Sequence, residues 1–126
     1  MMDWLKNLFG GGGSRPRKVL DLEAHLASTD PTSVLHGDGE YEAWEDGSWS
    51  FEVEVEGPDG TQAPAGITAF VDGVEIGTLV PRGDEAELKL SSRAGDTIAK
   101  TPAEGSTLEV RGPGGEQLSG TFRTDR

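Results

Sequence analysis

The sequence contains no cysteine, only two methionines, and aromatic residues at 6% of the chain. Without cysteine the protein has neither a disulfide framework nor a thiolate metal site. No apolar run approaches the roughly 18 residues that a transmembrane helix requires. Asp3 also interrupts the positively charged start of a secretory signal. We therefore expect a cytoplasmic protein with no signal peptide or transmembrane segment, and peripheral attachment to a membrane is the second option.

Positive charge is missing from the middle of the chain. Residues 19 to 81 contain fourteen Asp and Glu and no Lys or Arg, whereas residues 1 to 18 carry four basic residues and one acid. The net charge of −12 argues against nucleic acid as a partner, because the acidic body would repel its phosphates. It favours a basic or cationic partner. A halophilic or GC-rich source is the alternative explanation of the acidity.

The distribution of apolar residues predicts an all-β domain over residues 19 to 126. Apolar and polar residues alternate in short segments, most regularly over residues 49 to 56, which is the pattern of half-buried strands. Asp72-Gly73 joins two such segments and is typical of a type I′ hairpin. Seven or eight strands, separated by turns rich in Gly and Pro, predict a single antiparallel β-sandwich.

One segment departs from the alternation. Over residues 40 to 45, Tyr41 and Ala43 point one way and Trp44 points the other way. We interpret this as a bulge or a half-buried Trp44 ring in preference to an aromatic binding site.

Several segments resemble bacterial immunoglobulin-like β-sandwich modules of uncharacterised function. They are Gly39-Glu40-Tyr41, Phe51-Glu52-Val53-Glu54-Val55-Glu56-Gly57, Val71-Asp72-Gly73-Val74-Glu75-Ile76-Gly77-Thr78-Leu79, Leu88-Lys89-Leu90, Leu108-Glu109-Val110 and Leu118-Ser119-Gly120-Thr121-Phe122. The resemblance implies a small immunoglobulin-like or related sandwich. It supplies no catalytic residues.

An amphipathic peptide precedes the sandwich. Residues 1 to 9 predict a short helix, and residues 10 to 18 form a flexible linker that is rich in glycine and basic residues. The side chains of this docking peptide are Trp4, Leu5, Leu8 and Phe9 on one face, with Lys6 nearby. A helix of two turns is not stable alone in water, so we expect it to dock on an apolar surface.

These features predict a non-enzymatic binding or adaptor module. The docking peptide would localise it to an anionic membrane surface or to a groove on a protein partner. The alternative is a self-assembling structural subunit whose N-terminal arm docks in a neighbouring copy. The remaining interpretation is that the peptide has no docking role and is a frayed N-terminal tail.

The acidic side chains Glu52, Glu54 and Glu56 share the polar face of one strand. We expect this acidic strand face to contact a cationic partner. A catalytic carboxyl needs burial to raise its pKa, so we expect these three groups to stay ionised. The sequence contains no nucleophile or cofactor motif, and we expect neither catalysis nor a cofactor.

A metal site at His36, Asp38 and Glu40 is the third interpretation. These residues alternate and would project from one side of an extended segment, and imidazole and carboxylate groups are suitable ligands for a divalent metal. The favoured interpretation is a solvated strand edge, in which Gly37 and Gly39 mark a loose turn.

Overall fold

The computed structural model of the protein describes residues 15 to 125. The predicted N-terminal helix and the glycines of its linker lie outside these residues. So do all side chains assigned to the docking peptide: Trp4, Leu5, Lys6, Leu8 and Phe9. The described chain forms ten β-strands and one short 3-10 turn, with no α-helix. The all-β prediction is therefore confirmed for this part of the protein.

The strands follow the segments in which apolar and polar residues alternate. They are β1 (Lys18–Leu26), β2 (His36–Trp44), β3 (Trp49–Glu56), β4 (Thr68–Val71), β5 (Val74–Thr78), β6 (Val80–Arg82), β7 (Glu85–Ser91), β8 (Thr107–Arg111), β9 (Gln117–Thr121) and β10 (Arg123–Thr124). The 3-10 turn, Ser92–Ala94, follows β7. No helix in residues 15 to 125 has the length and apolar character needed to cross a membrane.

The strands form two antiparallel sheets. The large sheet has the order β10-β1-β2-β3-β7-β6, and the small sheet has the order β5-β4-β8-β9. The first three strands are neighbours in sequence and in space. The chain then crosses to the small sheet and returns, so β7 pairs with β3. The two sheets enclose one apolar core, as in a β-sandwich.

Two strands pass from one sheet to the other at a single residue. Leu79 alone separates β5 from β6, and Phe122 alone separates β9 from β10. Both side chains are fully buried, at 1% and 0% exposure. Leu79 donates its N–H to the carbonyl of Ile67 at 2.8 Å, and Phe122 donates its N–H to the carbonyl of Ser106 at 2.9 Å. If each bent strand is counted once, the domain has eight strands, which agrees with the prediction.

The core consists of the inward side chains of both sheets. Its largest fully buried members are Phe51, Phe122, Leu22, Ile67, Leu79, Leu108, Leu118, Val53, Val55, Val71 and Val110. Burial of each such side chain contributes about 1.5–3 kcal/mol. Because alternate residues of a strand point to opposite faces, this core also places the polar residues of the same strands outside.

The hairpin predicted at Asp72-Gly73 is confirmed. Both residues have positive φ, 48° and 81°, as a type I′ turn requires. The Asp72 carboxylate also accepts hydrogen bonds from the Thr107 N–H and the Ser106 hydroxyl, both at 2.9 Å. These bonds, the Thr107 one first, lower the pKa of Asp72. The turn is thereby tied to the chain that enters β8.

The interpretation of Gly37 and Gly39 as a loose turn is wrong. Both residues lie within β2 and are buried. A Cβ atom on Gly39 would overlap the side chain of Leu108 in the small sheet, and one on Gly37 would overlap the carbonyl oxygen of Glu54. Here glycine allows close approach rather than a turn. Strand β2 is therefore continuous, and its polar residues form an unbroken row.

Trp44 is half-buried at the end of β2, as the sequence indicates. The irregularity in pairing lies in the neighbouring strand, between Lys18 and Leu20 of β1. The guanidinium of Arg93 lies 5.6 Å from the Trp44 ring centroid. This cation–π contact covers the ring with a residue of the same chain.

Candidate functional site

The outer surface of the large sheet carries a concentration of carboxylates. Strands β1, β2, β3 and β7 alternate inward apolar residues with outward acidic ones, so their acidic residues share one surface. We call this surface the acidic face. Its members are Asp21, Glu23, Asp38, Glu40, Glu42, Glu52, Glu54, Glu56, Glu85 and Glu87.

Each of these ten carboxylates lies directly opposite another carboxylate on a neighbouring strand. The like-charge pairs are Asp21–Glu42, Glu23–Glu40, Glu40–Glu52, Asp38–Glu54, Glu54–Glu87 and Glu56–Glu85. Opposite residues on one face of an antiparallel pair are close enough to interact, and like charges there destabilise the sheet. The acidic face therefore carries an electrostatic cost to folding.

Cations compensate the acidic face only in part. Lys18 lies between Asp21 and Glu42, and these two carboxylates raise its pKa. Lys89 lies 3.8 Å from Glu52 and 3.7 Å from Glu87. The outward residues at the centre of β2 and β3 are all acidic: Asp38, Glu40, Glu52 and Glu54.

The margins of the face carry the remaining basic groups. Arg123 of β10 is opposite Glu23, and Arg82 of β6 is opposite Glu85. The two histidines lie at one end: His25 Nδ1 is 2.8 Å from Asp38, and His36 Nε2 is 3.2 Å from Glu56. Each of these histidines is largely exposed.

Crowding changes the protonation of the central carboxyls. Partial burial, then the charges of Glu42 and Asp21, raise the pKa of Glu40 to about 7. Partial burial, then Glu85 and Glu56, raise the pKa of Glu54 to about 7. Burial also raises the pKa of Glu52. The expectation that Glu52, Glu54 and Glu56 all stay fully ionised is therefore wrong for Glu54 at neutral pH.

A shallow depression of about 370 Å³ lies at the centre of the acidic face. Its charged lining consists of Glu23, His25, Asp38, Glu40, Glu52 and Glu54. The depression is open to solvent, and no apolar side chain lines it. It therefore differs from the enclosed, mostly apolar pockets that bind small molecules.

The residues proposed from the sequence have different surroundings. Glu52, Glu54 and Glu56 lie on β3, in the middle of the acidic face. His36, Asp38 and Glu40 share the outer side of β2. Their possible ligand atoms do not all lie within 4.8 Å of one another. Among the described residues, two other groups meet this distance: Asp21, Glu40 and Asp125, and Glu54, Glu56 and Glu85.

Sequence reasoning missed the contribution of the strands on either side of β2 and β3. Asp21 and Glu23 come from β1, and Glu85 and Glu87 come from β7. Each strand alternates acidic with apolar residues, which was the available signal. Which strands are neighbours is decided by the crossing connections, and no local pattern reports these.

The outer surface of the small sheet is different. Its outward residues are Thr68, Phe70, Glu75, Thr78, Thr107, Glu109, Arg111, Gln117, Ser119 and Thr121. No two acidic residues of this set are directly opposite each other. The carboxylate of Glu109 accepts a hydrogen bond from Arg111 at 2.8 Å, and the Arg111 guanidinium lies 4.4 Å from the Phe70 ring centroid.

Comparisons with protein-family models, with curated proteins and with solved structures find no significant match to this chain.

Proposed function

We propose that the protein is a non-enzymatic binding module whose acidic face contacts a cationic surface on a partner protein. The observation that supports this is the set of six like-charge pairs across four neighbouring strands. These pairs oppose folding. A surface that opposes folding is typical of a functional site, where binding compensates the loss of stability.

The distribution of the acidic residues favours a binding role over adaptation to a saline environment as the reason for the acidity. An acidic composition imposed by a saline environment would cover every outer surface of the domain. Here the acids lie opposite one another on the large sheet, whereas the small sheet presents mostly threonine, serine and glutamine. Ten carboxylates therefore share the outer surface of the large sheet, whereas the outer surface of the small sheet carries only Glu75 and Glu109 among its strand residues.

Electrostatics would act mainly on the rate and selectivity of association. A surface of one sign attracts a partner of the opposite sign before contact and increases the association rate. It also rejects acidic partners, nucleic acid among them. Such binding weakens as salt screens charges beyond about 10 Å at 0.1 M ionic strength.

The test is isothermal titration calorimetry with octalysine as a defined cationic probe. The face variant carries Glu52→Gln, Glu54→Gln and Glu56→Gln. The control variant removes the same number of charges outside the acidic face, through Asp59→Asn, Glu75→Gln and Glu104→Gln. We expect at least a tenfold loss of affinity in the face variant and less than about threefold in the control. Equal losses in both variants would show that only net charge matters and would remove the proposal.

The docking peptide is the second part of the proposed module. It would hold the sandwich at an anionic membrane or in a partner groove, through Trp4, Leu5, Leu8 and Phe9 with Lys6. The experiment is co-sedimentation with anionic and neutral liposomes, comparing the full chain with a chain that begins at Ser14. Pelleting of the full chain alone, with anionic lipid alone, supports membrane attachment.

Light scattering of the same two chains distinguishes membrane attachment from the alternative function, self-assembly. If removal of the peptide lowers the mass in solution, the N-terminal arm holds neighbouring copies together, and the protein is a self-assembling subunit. If the two chains sediment and scatter alike, the peptide has neither role.

Kinship with immunoglobulin-like modules stays a prediction. Two antiparallel sheets around one core, and the return of the chain from β4, β5 and β6 to place β7 beside β3, support it. The adjacency of β1, β2 and β3 departs from the four-plus-three strand arrangement of constant-type immunoglobulin domains.

A further inference from the structure

Glu40 occupies a crowded position at the centre of the acidic face. The carboxylates that face it are Asp21 and Glu23 of β1, Glu52 of β3, Glu42 of its own strand, and Asp125, which follows β10. The nearest cations belong to other carboxylates: Lys18 contacts Asp21 and Glu42, and Lys89 contacts Glu52. No cation in the described part of the chain forms an ion pair with Glu40 itself.

Glu54 has the same environment one row further along the sheet. The carboxylates around it are Asp38 of β2, Glu85 and Glu87 of β7, and Glu52 and Glu56 of its own strand. The nitrogen-containing side chains nearby already have other partners. His25 is hydrogen-bonded to Asp38 and His36 to Glu56, and Lys89 lies against Glu52 and Glu87. Each of the two central glutamates is thus bordered by carboxylates on both neighbouring strands.

We propose that the acidic face is a proton-regulated surface whose central glutamates, Glu40 and Glu54, bind protons as the pH falls to neutral and release them above it. The physical reason is that each of these carboxyls is partly buried and is bordered by carboxylates on both neighbouring strands. Burial and nearby negative charge both disfavour the ionised form. Partial burial first, and then nearby carboxylates, raise the pKa of both groups to about 7; these carboxylates are Glu42 and Asp21 for Glu40, and Glu85 and Glu56 for Glu54.

The consequence for binding rests on the proposed function. If a cationic partner uses the acidic face, its affinity is greatest above neutral pH and declines as the face takes up protons. The uptake itself needs no partner, so it can be measured separately.

The deciding experiment follows the ¹³C carboxyl resonances of the full chain by NMR between about pH 3 and 9. We expect two glutamate resonances with midpoints above about 6, one lost in Glu40→Gln and the other in Glu54→Gln. Glu75→Gln is the control, because it removes one charge from the small sheet and should leave both midpoints in place. If every glutamate carboxyl titrates below about 5, the inference is overturned.

Octalysine titrations of the same proteins separate this inference from the proposed function. We expect binding at least tenfold weaker at about pH 5.5 than at about pH 8.5, with a smaller ratio in the Glu40→Gln, Glu54→Gln double variant. If octalysine binds at neither pH while the two high midpoints persist, the proposed function fails and the proton-regulated surface stands.

Discussion

The two sheets share one core but differ on their outer surfaces. The large sheet places carboxylates opposite carboxylates on four neighbouring strands, with lysines and arginines mainly at its margins. The small sheet places threonines, serine and glutamine outside, and its Glu109 is paired with Arg111. The comparison shows that inward residues determine the fold of both sheets, whereas the outward residues of the large sheet carry a charge pattern that folding does not require.

The largest expected effect comes from the residue that connects the two sheets. Phe122→Ala removes a fully buried ring at the point where β9 becomes β10. We expect a loss of about 3–5 kcal/mol in the free energy of unfolding, measured by urea denaturation. Val34→Ala, at a side chain that is 63% exposed, is the control and should change stability by less than about 0.5 kcal/mol. A loss of less than about 0.5 kcal/mol for Phe122→Ala would mean that the Phe122 ring is not packed at the bend between β9 and β10.

The second test concerns the close approach of the two sheets. Gly39→Ala introduces a methyl group that overlaps Leu108 of the small sheet, and we expect destabilisation of about 1–3 kcal/mol. Leu108→Ala leaves a cavity next to Gly39, and the double variant should be more stable than the sum of the single effects predicts. The double-mutant cycle measures this coupling. Simple additivity would mean that the two positions are not in contact.

The third test uses pH to change the large sheet alone. The pKa of Glu40 and of Glu54 rises from 4.5 to about 7 on folding, so between these values the folded state binds more protons than the unfolded state. Stability is then greatest below about 4.5 for these two groups and is lost as the pH rises through 7. After allowance for screening of these partly exposed groups, we expect a loss of about 1–2 kcal/mol from pH 5.5 to 8.5.

Urea midpoints at the two pH values measure this loss. About 0.5 M salt at the higher pH should restore part of it, because salt screens repulsion between exposed charges. The Glu40→Gln, Glu54→Gln double variant is the control and should show a flatter profile. On the acid side, protonation of Asp72, whose pKa is lowered on folding, removes stability as the pH falls below its ordinary value. Unchanged midpoints between pH 5.5 and 8.5 would contradict the repulsion.

The smallest effect distinguishes the two outer surfaces directly. Glu54→Lys places a cation opposite both Asp38 and Glu87 and should stabilise the protein by about 1 kcal/mol at about pH 8.5. Glu75→Lys makes the same change in charge on the small sheet, opposite Phe70, and should stay within about 0.5 kcal/mol of wild type. Thermal denaturation of the two variants gives the comparison. Equal stabilisation would show that the excess charge acts on the molecule as a whole.

Much of the fold can be predicted from the sequence because strand position depends on local alternation. The strand at Trp49–Glu56, the hairpin at Asp72-Gly73 and the outward direction of Glu52 are all local properties, and each is found in the structure. The number of strands also follows when each bent strand is counted once, because every other connecting segment contains Gly, Pro, Asp or Ser.

Properties that depend on distant residues could not be predicted in this way. The sequence indicates a turn at Gly39, because the contact of this residue with Leu108 is formed only when the two sheets pack. The raised pKa of Glu54 arises from burial and from acids on β7 as well as its own strand, and the sequence does not state which strands pair. The same lack of pairing information left the bends at Leu79 and Phe122 unpredicted.

The bend at Phe122 also has a consequence for the time course of folding. The strand that completes both sheets is the last one in the described chain, and it joins β8 on one side and the first strand, through Leu22–Thr124, on the other. During synthesis from the N-terminus, β1 is made first, and its pairing partner β10 is made last of the described strands. Contacts between such distant residues form late, because the loop that joins them costs entropy before it is closed. The nascent chain therefore keeps an unfinished edge until nearly all of the domain has been made.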